Sequence, residues 1–372
     1  MASITETTSL ILPAFNHALV LETTQAPPAT TAPGSAVVRI VTASIRPHNR
    51  LGFTGNGPLS FPLPYAPGNS AIGRVVSVGP DAVALQPNQL VFVNGFVRAR
   101  DDPEGTQMLL GLHDGAGHER MGKLFGAWKG LWTNVATVPM ENCMALNETN
   151  LVKEMGYSFG DLNYIERLAV AYGGVSAAGL RAGETVIVAP ATGHYSGAVA
   201  ELAAQIGCRV IALSRSATKL DSLVSHHPRI NAVAMTGDDE KDTSAIQALC
   251  PNGADALIDI SPPEATSSPR HLAIALNTLR AGARVVFLGS MGDVSINYFS
   301  IMARNISIKG QFMYTREELV TLIKMIETGV VKLGVDAGHE VMNGGFAMED
   351  WEEAVSVAER ATQWGQHALF MP

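Results

Sequence analysis

The sequence predicts an α/β chain of two domains, a β-barrel-like unit joined to a doubly wound parallel sheet, and three observations carry that prediction. Its 372 residues, 47% of them apolar, can bury more than one core. Residues 1 to about 160 hold short β-rich segments separated by Pro and Gly. From about residue 165 onward, short apolar strands alternate with helical patterns, as βαβ units require.

In the first part the strands are "SAVVRIVTASI", "AIGRVVSVG", "QLVFVNGFV" and "LWTNVATVP", which suggest an all-β, barrel-like unit with long surface loops. In the second, "TVIVA" leads to the helix "GAVAELAAQIG", "RVIALS" to "ATKLDSLVSHH", and "NAVAMT" to "DTSAIQALC". "ADALIDIS" then leads to "PRHLAIALNTLR", and "RVVFLG" and "NISIKGQFMY" follow. Such wholly apolar strands imply a parallel sheet covered on both faces. Two tail helices, "TREELVTLIKMIETGV" and "MEDWEEAVSVAERATQ", and a closing strand "HALFMP" are expected to pack back on the first domain. The expected division is therefore residues 1–166 with 314–372, and residues 167–313.

A formal net charge of −8 with scattered Lys and Arg excludes a broad nucleic-acid surface and points to a small-molecule substrate. Cys143, Cys208 and Cys250 are widely spaced, without a CxxC pair, and read as reduced thiols. No apolar run approaches the ~20 residues of a membrane span, and the first residues lack a basic leader, so a cytoplasmic protein without membrane contact is expected.

The segment "APATGHYSG", residues 189–197, joins a strand to a helix start, where backbone N–H groups and the helix dipole favour an anion. Ala191, Gly193 and Ser196 take the three small-residue positions of a dinucleotide turn, with Gly197 behind them and Thr192, His194 and Tyr195 completing the loop. Where such a site reads the adenosine ribose, an acid would repel a 2′-phosphate; here stand Ser214 and Arg215, with Lys219 a helical turn on. A hydroxyl and two cations match a phosphate dianion, so NADPH is the expected cofactor.

With "VVRIVTASIRPHN", "PLPYAPGNSAIGRVVSVG", "LRAGETVIVAPATGHYSGAVAELAAQIGCRVIAL", "LRAGARVVFLGSM" and "NISIKGQFMYTREEL" in that order, the chain resembles the medium-chain dehydrogenase/reductase superfamily, in its zinc-independent quinone oxidoreductase and enoyl reductase-like branch. The resemblance implies a GroES-like substrate domain, a Rossmann cofactor domain, a cleft between them, hydride transfer from nicotinamide C4, and a homodimer made by continuing the Rossmann sheet. It adds Ser261, Gly289 and Phe312 to the cofactor contacts.

In the family register, the first zinc-ligand position holds Arg46, the Gly-His-Glu site reads Gly68-Asn69-Ser70, and the third lies near "LAVAYGG", without Cys or His. No metal is expected, because zinc asks for thiolate, imidazole or carboxylate. Gly117-His118-Glu119, with His113 and Asp114 nearby, imitates the ligand pair but falls in a polar, Gly-rich insertion. Catalysis without a Lewis acid needs hydrogen-bond donors and a proton source. The candidates are Arg46, either as a cation in the metal's place or as half of a structural ion pair, His48 and Tyr172. Phe53 stands where enoyl reductases of the family often carry a Tyr acid, and with Phe61 and Tyr65 it is expected to line an apolar pocket. The expected activity is NADPH-dependent reduction of an activated C=C or carbonyl. A zinc-free alcohol or ketone oxidoreductase and a non-catalytic NADPH-binding scaffold are the alternatives.

Overall fold

The computed structural model describes residues 4–27, 31–56, 62–102, 105, 107–114, 119–128, 130–267 and 269–372. They form two compact units, one of Met1–Glu166, Glu340–Thr362 and Gln366–Pro372, the other of Arg167–His339 and Gln363–Gly365.

The chain opens with the antiparallel pair β1 (Glu6–Ile11) and β2 (Val20–Gln25), then β3 (Ser35–Ile45), helix α1 (Asn49–Phe53), β4 (Ala71–Val78) and β5 (Leu90–Val93). The pair β6 (Phe96–Arg98) and β7 (Gln107–Leu109) precedes α2 (Glu119–Ala127), β8 (Val135–Pro139), β9 (Cys143–Ala145), α3 (Phe159–Asn163) and α4 (Ile165–Ala177). Next come β10 (Thr185–Ala189), α5 (His194–Gln205), β11 (Arg209–Ser214), α6 (Ala217–His226), β12 (Ile230–Ala234), α7 (Asp239–Leu249), β13 (Ala254–Asp259) and α8 (Arg270–Asn277). The remainder holds β14 (Leu279–Phe287), α9 (Tyr298–Ala303), β15 (Ser307–Gly310), α10 (Arg316–Glu327), β16 (Glu340–Val341), α11 (Trp351–Arg360) and β17 (Gln366–Phe370).

In the first unit a curled sheet has the order β16-β17-β3-β4-β5-β9, with β8 also on β3. The long strand β3 is buried over nearly its whole length, pairing with β4 at Ala36–Ala43, with β8 at Ser35–Arg39 and with β17 at Ala43–Ile45. Register shifts at Val37/Val38 and Ile40/Thr42 curl it, as bulges do. Leu10, Val38, Ile45, Val91 and Phe370 pack its core around Trp132, whose indole N–H donates to the Ser44 carbonyl at 2.9 Å. The single strand expected over "QLVFVNGFV" is two, β5 and β6. Asn94 Oδ1 accepts the Phe96 N–H and Asn142 Nδ2 donates to the carbonyls of both residues, so side chains replace the ladder there.

The second unit is a parallel sheet of order β12-β11-β10-β13-β14-β15, so chain order reverses between β10 and β13. Val186 to Ala189 are fully buried, which requires cover on both faces; α5 and α8 each contact β10. Parallel register brings Ala189, Ser214, Asp259 and Phe287 to one edge of the sheet, the edge at which open α/β folds take ligands.

Two stretches of the tail depart from the sequence expectation, Gln363–Gly365 and a longer one before it. Residues 314–339, assigned from sequence to the first domain, belong with the second unit. There α10 buries Leu319, Leu322, Ile323 and Ile326, and the segment after it is held to α5: the Lys332 N–H donates to Gln205 Oε1 at 2.6 Å. Helical periodicity announces a buried face without naming its partner. Among the described residues no helix is long and apolar enough to cross a membrane.

Candidate functional site

The turn after β10 is stitched to the end of β11. The Ala191 N–H donates to the Leu213 carbonyl at 2.8 Å, and the Thr192 and Ser214 hydroxyls lie 3.1 Å apart. Gly193 caps α5 with extended backbone, and its N–H donates to Ser196 Oγ at 2.9 Å. Ala191 and Ser196 are buried, while Thr192, Gly193, His194 and Tyr195 are half-buried around the helix start. First-turn amides of a helix have no acceptor within it, so this turn presents donors and a positive dipole end to an anion.

At the end of β11, Ser214 Oγ also accepts the Ser216 N–H at 3.2 Å, which fixes the hydroxyl within the turn. Arg215 is exposed and Lys219 half-buried, and Ser216 caps α6 by accepting the Lys219 N–H. No carboxylate follows Ser214 until Asp221.

At the ends of β13 and β14, Asp259 receives the Ser261 N–H at 2.9 Å and its hydroxyl at 3.1 Å. His271 Nε2 lies 2.8 Å from Ser261 Oγ and 3.1 Å from Asp259 Oδ2. One ring nitrogen meets both partners, whereas a nucleophilic relay uses the two nitrogens separately, so the trio fixes Ser261 rather than activating it. Gly289 is exposed beside it; a Cβ there would lie 2.5 Å from the Ser261 nitrogen, which is why the position is glycine. Asp259, Leu272, Phe287, Gly289, Met291 and Val294 line a cavity of about 100 Å³. Phe312, two residues after β15, is exposed.

In the first unit, Arg46 Nη2 donates to Glu166 Oε1 at 2.7 Å, with the Arg46 side chain 16% and the Glu166 side chain 4% exposed. The Arg46 N–H is held by Asn49 Oδ1 at 2.6 Å, and Glu166 occupies the first turn of α4, where the dipole favours an acid. Arg46 is therefore half of an ion pair and not an open cation. Beside it in sequence, Ser44 donates its N–H to the Ser70 carbonyl at 3.0 Å, and the buried hydroxyls of Ser44 and Ser70 have no partner among the described residues. Asn69 is buried as well.

Of the other candidates, His48 is exposed at the start of α1. Tyr172 is half-buried on α4, and burial, then the Glu318 charge, raise its phenol above the usual range, so it stays a donor. Phe53 and Tyr65 do not line an open pocket: both are core residues of the first unit, Phe53 edge-on to Trp132 at 6.1 Å. Their apolar surface is spent on the sheet interior. Phe61, Gly117 and His118 lie outside the described residues; Glu119 pairs with Lys123 on the surface of α2. Among the described residues no three His, Cys, Asp or Glu side chains group as a metal site. Burial pushes the Cys143 thiol up to about 12 and the Cys208 thiol up to about 11, so both are held as thiols. The residues at the three ligand positions do not fit a zinc shell.

Residues 32–148 match the alcohol dehydrogenase GroES-like domain family, and residues 196–328 the zinc-binding dehydrogenase family. The chain belongs to the medium-chain dehydrogenase/reductase superfamily. Solved structures share that fold: AibC, at 19% identity, a TM-score of 0.79, and coverage of 99% of this chain and 96% of the other. A zinc-binding dehydrogenase of Sinorhizobium meliloti 1021 bound to NADP matches at 18% identity and a TM-score of 0.76, covering 99% of both chains. A cobalt- and zinc-bound alcohol dehydrogenase of Pyrobaculum aerophilum matches at 18% and 0.74, covering 99% of this chain and 100% of the other. No curated protein matches by sequence. Within this superfamily member, sequence reading missed Glu166 and the buried Arg167, whose Nε donates to His194 Nδ1 at 3.3 Å. Their signal was two adjacent charges in the otherwise apolar helix "IERLAVAYGGVSA".

Proposed function

We propose that this oxidoreductase is zinc-independent and NADPH-dependent, and that it reduces an activated C=C of the enone, enoyl or quinone kind, or a carbonyl, on an apolar small molecule. The observation that carries the reading is the Arg46–Glu166 ion pair at the first position where the superfamily resemblance expects a metal ligand. A guanidinium committed to a carboxylate offers zinc no donor, and neither an Asn nor a Ser replaces imidazole.

The first-turn amides of α5 would hold the pyrophosphate of NADPH, Ser214, Arg215 and Lys219 its 2′-phosphate, and Ser261 with Gly289 the floor beside it. When bound, NADPH supplies the hydride. The protein's part is to stabilise the oxyanion or enolate and to deliver a proton. Tyr172 and His48 are the proposed proton donors.

Calorimetry with NADPH and NADH, elemental analysis of the same preparation, and NADPH oxidation against enone, quinone and ketone panels test the reading. Tighter NADPH, no stoichiometric zinc and turnover of the conjugated substrates are expected; tighter NADH or a full complement of zinc overturns it. A cytoplasmic homodimer goes with this reading. The edge strand β15 is exposed along its length, and Tyr298, Phe299, Met302 and Phe312 near it in sequence are exposed, as an unmade sheet-to-sheet contact would leave them. Sedimentation at a single-chain mass would remove that part.

A further inference from the structure

One face of α5 carries Gly197, Glu201 and Gln205 at spacings of four, and Trp364 sits on it. A Cβ at Gly197 would lie 2.5 Å from Trp364 Cβ and 2.6 Å from its Cδ1, so the glycine behind the cofactor turn is dictated by an indole. Gly338, at φ +88°, would strike the far edge of the same ring if it carried a side chain. The Trp364 N–H of the indole donates to Glu201 Oε2 at 2.8 Å. Glu201 Oε1 accepts from His339 Nε2 at 2.7 Å and from Gln205 Nε2 at 2.9 Å. Since His339 Nδ1 accepts the Gly334 N–H, Nε2 is the nitrogen left to donate. Glu201 is 0% exposed, and a buried carboxylate is tolerable only while such donors are kept. The backbone N–H of Trp364 meanwhile donates to the Thr192 carbonyl, inside the cofactor turn, at 3.3 Å.

We infer that Trp364 is a positioning residue for the cofactor turn: seated on Gly197 and keyed to Glu201, it fixes the pitch of α5, and through Thr192 it fixes the turn. The inference rests on the reading of that turn as the NADPH site. Gln363–Gly365 belongs with the second unit, whereas the chain on either side of it belongs with the first, so this three-residue return needs a specific anchor and Glu201 is that anchor. Nothing in the length of the turn requires it, since strand, turn and helix are continuous without it.

The test measures NADPH binding to wild type, Trp364→Phe, Glu201→Gln and the double variant, with hydrogen exchange of the peptides covering 190–197 and 363–365. Loss of the indole N–H bond, or of the carboxylate that accepts it, is expected to weaken NADPH roughly tenfold, the double variant being no worse than either single because the two act as one unit. In wild type, NADPH is expected to slow exchange in both peptides, including the one around Trp364, because coupling between sites is reciprocal. If both variants keep NADPH affinity within about twofold while melting lower, Trp364 is packing alone and the inference falls. Protection confined to 190–197 in wild type overturns it without any variant having to fold. Wild type that binds neither NADPH nor NADH overturns the reading of the turn itself, a distinct result.

Discussion

The turn after β10, proposed above to hold the cofactor, and the Arg46 corner handle charge in opposite ways. At the turn the work is done by backbone amides and a helix end, with hydroxyls bonded to one another and cations left at the surface. At the corner a half-buried guanidinium and a buried carboxylate are paired with each other, with neutral hydroxyls near them in sequence. A site made of backbone survives changes of side chain, which is why Ala191 and Ser196 can stand in glycine positions. A site made of side chains changes its chemistry with each substitution, so superfamily membership transfers to the turn far better than to the corner.

The largest expected effect belongs to the two proposed proton donors. Tyr172→Phe or His48→Ala is expected to lower kcat by about 10²–10⁴, the range for general-acid catalysis. If Tyr172 is the donor, its raised phenol pKa keeps it protonated and puts the alkaline limb of the kcat profile above the ordinary phenol range. A limb near neutrality, or unchanged turnover in both variants, removes Tyr172 or both from the role.

Next in size is the corner itself. Arg46→Met strands a buried carboxylate and is expected to cost about 3–5 kcal/mol in denaturant unfolding. Arg46→Met with Glu166→Leu is expected to recover most of that stability, because both charges are then gone together. A single variant as stable as wild type would mean that the pair is solvated.

At the turn, Ser214→Asp is expected to weaken NADPH by about 1.5–3 kcal/mol, the worth of a hydrogen bond to a charged group, and to move preference toward NADH. Ser196→Ala removes the hydroxyl that accepts the Gly193 N–H at 2.9 Å and donates to the Gly193 carbonyl at 3.4 Å, and is expected to cost NADPH binding about 0.5–1.5 kcal/mol. A loss from Ser196→Ala as large as that from Ser214→Asp would show that side chains, not backbone, make the phosphate cradle.

How much of this the sequence declared follows the same division. Strands β3, β10, β11 and β13 were legible because burial writes near-continuous apolar runs, β12 and β14 because the βαβ alternation continues through them, and the turn because a strand must hand over to a helix there. Ser214 and Arg215 followed from counting along a regular βαβ unit. Glu166 showed only as a charge in an apolar helix, and Trp364 not at all: each acts on residues more than a hundred positions away, Glu166 on Arg46 and Trp364 on Glu201, and no local period records such a contact. Phe53 and Tyr65 were misread because a core aromatic and a pocket aromatic look alike in sequence.

The smallest effect is set behind the turn, at His227, which faces Trp364 at 5.4 Å. Burial lowers its pKa below the ordinary imidazole value, Glu201 opposing and His339 and His226 adding to the shift. Its Nε2 is buried without a partner among the described residues, so a proton placed there would find no acceptor. With the folded pKa below the unfolded value of 6.5, the unfolded chain binds the proton first. Stability is therefore complete above that pH and falls as pH drops through it toward the folded value. His227→Gln is expected to flatten that part of the stability profile, measured by urea midpoints across the range, while leaving the alkaline side unchanged. An equally steep decline in the variant would assign the acid sensitivity to other groups, and the face of α5 behind the turn would then be insensitive to pH.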